Sequence, residues 1–290
     1  MRISPKIMTE NIKANLAKQS TQLSKTQIQI ATGKRINSLS DDPKGIGRVL
    51  GYRSTLSRID QYQSNITDAM NRVAYTETIL GQINELVEDA KGIASNYDGS
   101  SSEALAQSVG NIRDQILGLA NSRYGDDYLL SGDMTSTAPF DATSGDYNGD
   151  NGSYGAIIGD GITITLAADG GEMLTDAAST DTVLAVLDDL VVALRDDNQD
   201  DVRDALEPLQ NIDDQLELVR SNFAAAYSRL KDTQERWEAL SNAVETMRSK
   251  TEDADVTEAA VDLQLQQTSY ELLLQVASEV LQPTLLDFLG

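Results

Sequence analysis

Six Asp-Asp pairs recur along this sequence: Asp41-Asp42, Asp126-Asp127, Asp188-Asp189, Asp196-Asp197, Asp200-Asp201 and Asp213-Asp214. Two carboxylates flanking a sugar could hydrolyse a glycosidic bond. Neighbours on a helix point about 100° apart, however, so such pairs suit caps, turns and solvated helix faces better. Asp146-Tyr147-Asn148-Gly149-Asp150-Asn151-Gly152 opens like a calcium loop. Its sixth position is Asn151 rather than Gly and its twelfth is Ile157 rather than Glu, so turn chemistry in a β module is the better reading. The sequence has no His and no Cys. That removes the commonest general base, the commonest metal ligand, thiol nucleophiles and disulfides. No catalytic, metal or cofactor-binding residue is assigned, no cofactor is expected, and the chain is not read as an enzyme.

The formal net charge is −23, which argues against nucleic acid and anionic membrane as partners. Lys34-Arg35 is too short to be a nucleic-acid patch. Residues 1–60 carry 11 Lys/Arg and 4 Asp/Glu, a net of +7, which leaves −30 for the remainder. No basic residue follows Lys250, and eight acids do. A basic head and an acidic tail predict that the termini meet, with Lys6, Lys13, Lys18 and Lys25 set against Asp262, Glu271 and Glu279. Met1 to Leu16 shows no secretory signal, and no membrane insertion is expected. The most apolar window, Leu272 to Leu289, is broken by Glu279, Pro283 and Asp287.

The elements that would position any site are helical. Leu209, Ile212, Leu216, Val219, Phe223, Ala226, Leu230, Thr233, Trp237, Leu240, Val244 and Met247 step by threes and fours, which draws one apolar seam along a helix. Ile59, Tyr62, Ile66, Ala69, Val73, Thr76, Leu80, Ile83, Val87, Ala90 and Ala94 supply a partner seam. Residues 5–32 read as a helix with a weaker stripe at Ile12, Leu16, Leu23 and Ile30, ended by Gly33. Asp42 or Ser40 can cap the next helix, with Pro43 in its first turn. Ser100 to Glu103 has capping-box spacing ahead of a further helix. Pro208 should bend the long helix or mark a restart. Between Arg248 and Asp255 the register fails, and a new phase runs through Val256, Ala260, Leu263, Gln267, Tyr270, Leu274, Ala277 and Leu281. From Tyr124 to about Thr180 the composition turns to Gly, Asp, Ser and Thr. Ile162–Leu166 alternates like a strand after a Gly159-Asp160-Gly161 turn.

The fold expected is mainly α: an elongated bundle of long antiparallel helices with coiled-coil-like terminal helices and a small β insert. Its parts are residues 1–35 with 256–290 (terminal pair), 36–132 with 181–255 (long helices) and 133–180 (β insert). Ile12, Leu16, Leu23, Ile30, Leu263, Tyr270, Leu274, Ala277 and Leu281 are the candidate assembly interface.

Four segments carry a family resemblance. Ala31-Thr32-Gly33-Lys34-Arg35-Ile36-Asn37-Ser38-Leu39-Ser40-Asp41-Asp42-Pro43 resembles the segment after the first helix of bacterial flagellins and of the hook–filament junction proteins in that family. Tyr124-Gly125-Asp126-Asp127-Tyr128-Leu129-Leu130-Ser131-Gly132 is similar to a junction-protein segment, with Leu130 where Phe is usual. Tyr147-Asn148-Gly149-Asp150 with the Gly159 turn, and Leu281-Gln282-Pro283-Thr284-Leu285-Leu286-Asp287-Phe288-Leu289, add to it. The resemblance implies a structural axial protein of the flagellum. It would be exported unfolded, helped by an export chaperone, and associate with itself in a ring. Its partners would be another hook-associated protein on the hook side and flagellin on the filament side. A minor flagellin, or a surface adhesin with a ligand-binding β insert, is the alternative.

Overall fold

The computed structural model describes residues 5–176, 178–179 and 181–289, with the side chains of residues 5–6, 167 and 279–289 excepted. In chain order the elements are α1 (Pro5–Thr32), α2 (Pro43–Ser95), α3 (Ser102–Ala120), β1 (Arg123–Tyr124), β2 (Asp127–Tyr128), β3 (Ser153–Gly159), β4 (Ile162–Ala167), α4 (Gly170–Met173), α5 (Val183–Arg195), α6 (Gln199–Asp204), α7 (Leu206–Glu252) and α8 (Val256–Leu289). The fold is mainly α. Two compact units are present, Met1–Ile59 with Ala239–Gly290 and Asp60–Glu238, and α2 and α7 contribute to both.

Local chemistry sets the boundaries. Gly33 adopts φ +69°, a left-handed turn open to glycine, and ends α1. Asp42 accepts a hydrogen bond from the Gly45 amide at 2.8 Å and so caps α2, whose first residue is Pro43. Asp255 caps α8 by accepting from the amides of Thr257 and Glu258. Pro208 lies in the first turn of α7, where a missing amide hydrogen costs nothing, so it marks a restart after α6. The capping box does not form. Asp98 takes both the amide and the hydroxyl of Ser100, and α3 begins behind Ser101 at φ 62° with no side-chain cap.

The Asp60–Glu238 unit holds most of the core. On α2 the stepped seam is buried from Ile66 to Ala94 and half-buried at Tyr62. On α7 it is buried from Leu209 to Phe223 and again at Leu230. Burial of each such Leu, Ile or Phe removes enough apolar surface to be worth about 1.5–3 kcal/mol. The two helices run antiparallel: Lys91 meets Asp213 at 2.6 Å, Arg220 meets Glu77 at 2.9 Å, and the rings of Tyr62 and Trp237 lie 5.2 Å apart. Antiparallel α3 and α5 complete the bundle, tied by Arg113 to Asp188 at 3.1 Å. Leu187, Leu190 and Leu194 of α5 are fully buried in it.

The insert packs on the same helices. β3 and β4 form the antiparallel hairpin expected around Gly161, which sits at φ +69°. Inward Ala156, Ile158, Ile164 and Leu166 are buried, while Ile157 and Ile162 are exposed. Asn65 of α2 donates to the Ile157 carbonyl at 2.8 Å, and the Trp237 indole donates to the Ile158 carbonyl at 2.7 Å. Trp237 is therefore half core and half clamp, holding the hairpin to the helix pair.

Candidate assembly interface

The unit formed by the two ends of the chain is built around one carboxylate. Glu252, the last residue of α7, keeps 2% of its side chain exposed. Its Oε1 accepts from Lys34 Nζ at 2.6 Å and from the Arg53 guanidinium, and Arg248 Nε stands 3.9 Å from Oε2. Burial pushes the Glu252 carboxyl up, but the hydrogen bonds from Lys34 and Arg53 outweigh it and hold the group below its ordinary value. Backbone contacts close the same junction. The amides of Arg35 and Ile36 both donate to the Glu252 carbonyl, and the Ala254 amide donates to the Gly33 carbonyl at 2.9 Å. Arg35 also reaches the Thr251 carbonyl at 2.7 Å. The break after α1 and the break before α8 are thus one joint.

Next to the joint, Asp41 organises the loop into α2. Hydrogen bonds from Ser38, side chain and backbone, with help from Lys25 and Asn37, lower its pKa to about 2. Lys25 lies 3.2 Å from Asp41.

From the joint, α1 and α8 run antiparallel. Thr26, buried, donates to Gln266 Oε1 at 3.0 Å, and Gln19 donates to the Gln266 carbonyl. Ile12, Leu16, Leu23 and Ile30 are half-buried on the same face of α1 as Gln19 and Thr26. On α8 the face of Gln266 also carries Ala259, Leu263, Tyr270, Leu273 and Ala277, all buried or half-buried. This differs by one residue from the expected phase at several positions: Val256, Ala260, Gln267 and Leu274 are exposed, Leu274 to 46%. Leu272, Leu273 and Leu274 are consecutive, and an apolar triplet leaves the helical phase undetermined in sequence. The side chain of Leu281 lies outside the described residues.

The charge pairing expected between α1 and α8 is not seen among the described residues. Lys25 turns to Asp41 instead, because Asp41 stands at the loop beside its own helix. The side chains of Lys6 and Glu279 lie outside the described residues. The acids and bases that do meet are at the joint, where sequence reasoning passed over Glu252 and Arg53. The signal was available, since Lys34-Arg35 and Glu252 occupy the two breaks.

The outer face of α8 is apolar. Val261, Leu265, Leu272 and Val276 recur at steps of four and seven, and each is between 48% and 62% exposed. A stripe of this kind on a helix needs a covering partner. The chemistry weighed for the insert goes to turns. Asp150 accepts from the amides of Asp133 and Gly152, and Tyr147 donates to the carbonyls of Leu130 and Asp150.

Residues 3–135 match the family described as the bacterial flagellin N-terminal helical region. The chain is 29% identical over 188 residues to flagellar hook-associated protein 3 of Salmonella typhimurium, covering 62% of this chain and 58% of that one. Against flagellar hook-associated protein 3 of Escherichia coli it is 27% identical over 215 residues, 67% of each chain. The chain thus spans between about half and two thirds of the length of these curated relatives. A solved structure from Vibrio parahaemolyticus, assigned as a flagellar hook-associated protein, superposes with TM-score 0.69 at 21% identity, covering 73% of this chain and 100% of that one. That likeness shows a common fold of long helices with a small β insert. Family match, relatives and fold agree: the chain is similar to flagellin-family proteins of the hook-associated protein 3 type.

Proposed function

We propose that the chain is a structural axial protein of the bacterial flagellum that joins the hook side to the flagellin filament and passes torque by helix packing. The observation that carries this reading is the α1–α8 pair with its outer stripe of Val261, Leu265, Leu272 and Val276 left uncovered. A stripe at helical spacing on a surface helix is suited to self-association in a ring of like subunits. Residues 1–35 with 256–290 would form that assembly domain, and Ile12, Leu16, Leu23, Ile30, Leu263, Tyr270, Ala277 and Leu281 would hold it together. Another hook-associated protein on one side and flagellin on the other are the partners of this role. Export would precede folding and use a chaperone. The relatives that the chain resembles are flagellar hook-associated proteins, and the role proposed here turns over no substrate.

The match to the flagellin N-terminal region supports a second reading, a minor filament subunit. Gene deletion separates the two. Loss of a junction protein leaves hooks without filaments and flagellin shed into the medium. Short or weak filaments on intact junctions would favour the minor filament subunit instead.

A further inference from the structure

The Asp60–Glu238 unit carries a groove of about 360 Å³ between α5, α6 and the start of α7. Val186, Ala193, Ala205 and Pro208 floor it, and Val192, 55% exposed, forms its wall. Asp181, Asp189, Asp201 and Asp204 stand around it. None of the four has an ion-pair partner among the described residues. Asp201 accepts from the Asn198 side chain at 2.6 Å, and an apolar floor under four carboxylates without ion-pair partners suits a cationic helix with a slim apolar face.

The first turns of α2 have that chemistry. Residues 43–59 contain Lys44, Arg48, Arg53 and Arg58 and no acid. Arg53 is taken by Glu252, while Lys44, Arg48 and Arg58 are exposed and form no ion pair among the described residues. Between them lies a face of Gly47, Leu50, Gly51 and Ser54, with Leu50 57% exposed. Glycine inside a helix is unfavourable relative to alanine. Gly45 has a reason within the chain, because a side chain there would meet Asp42 and Ile36. Gly47 and Gly51 have none, since nothing lies within 4 Å of where their Cβ atoms would be. Bare backbone on a cationic helix is the shape that lets Leu50 reach a shallow groove.

We infer that the α5–α6 groove of one copy receives the α2 face around Leu50 of a second copy. The inference rests on the proposed axial role, because an acidic groove and a basic face on one chain make a head-to-tail contact that propagates into rings or filaments.

The sequence has no cysteine, so single thiols can be placed freely. Full-length chains carrying Ser54→Cys and Asp200→Cys are mixed at low ionic strength with a short bismaleimide. The mixed product should exceed either same-variant product. Each exposed charge pair is worth a factor of about two to five, so changing Asp189, Asp201 and Asp204 together to Lys should lower the mixed yield about tenfold. Charge reversal of Lys44, Arg48 and Arg58 on the other copy should restore it. Should the lysine triple variant lose helicity, the asparagine triple variant gives the same reading with a smaller loss. A mixed yield no higher than the same-variant yields, or one unmoved by the charge changes, overturns the contact. Gene deletion tests the axial role separately, so the two ideas can fail independently.

Discussion

Lys34 and Glu252 meet at 2.6 Å, although one follows the first helix of the chain and the other ends the seventh. The carboxylate is buried and its cations are partly exposed, Lys34 to 38% and Arg53 to 47%. Glu252→Gln would leave these cations facing a neutral amide and should cost about 1–3 kcal/mol. Hydrogen exchange at Arg35, Ile36 and Ala254, whose amides close the joint, should speed up while exchange in α3 and α5 stays unchanged. Equal acceleration everywhere would show that the joint is not a local device.

The joint should be acid-sensitive. Glu252 has a folded pKa below its ordinary 4.5, so its contribution is complete above that value and is lost as the pH falls through the lower folded one. Asp41 behaves alike between its ordinary 3.8 and about 2. Carboxyl NMR titration should give Asp41 a midpoint near 2 in the folded chain. A midpoint at 3.8 would mean that the Ser38 hydrogen bonds do not hold the loop.

Trp237, the single tryptophan, reports on the clamp between hairpin and helices. Trp237→Phe keeps a ring against Tyr62 but leaves the carbonyl of buried Ile158 without its donor, at a cost of about 1–3 kcal/mol. Thermal unfolding followed by circular dichroism measures the loss. A change below a few tenths of a kcal/mol would mean that the hairpin is held by Asn65 and packing alone.

Leu273 and Leu274 should separate two functions. Leu273→Asp puts a carboxylate into the face that bears Gln266 and should loosen α1 from α8 in the monomer, by about 2–3 kcal/mol or more. Leu274→Asp, on the exposed side, should leave the monomer intact and weaken assembly alone. Limited proteolysis of monomers against motility in cells distinguishes these outcomes.

The long helices were legible from sequence because their seams are buried along most of their length. From Ile66 to Ala94 each third or fourth residue is forced inward, and the pattern has one solution. The hairpin was legible through Gly161, whose φ other residues rarely adopt. The phase of α8 was not, because Val261, Leu265, Leu272 and Val276 make its outer face as apolar as its inner one. Periodicity cannot distinguish two apolar faces on one helix. The joint was legible only in part: Lys34-Arg35 and Glu252 occupy the two breaks, but most of the chain separates them and no periodicity links the two places.

The way the joint is closed also decides how it carries force. The donors of Arg35 and Ile36 and the donor of Ala254 point in opposite directions across the Gly33 and Glu252 strands of backbone. When the strands are drawn past each other along their length, these bonds and the Lys34 and Arg53 contacts are strained together, and none can rupture before its neighbours share the load. When the strands are lifted apart from one end, they would fail in turn. The joint should therefore resist sliding far better than peeling, which single-molecule pulling from handles at Thr32 and Lys250, at opposite ends of the antiparallel pair, against handles at Thr32 and Asp255, at one end of it, would resolve as a difference in rupture force.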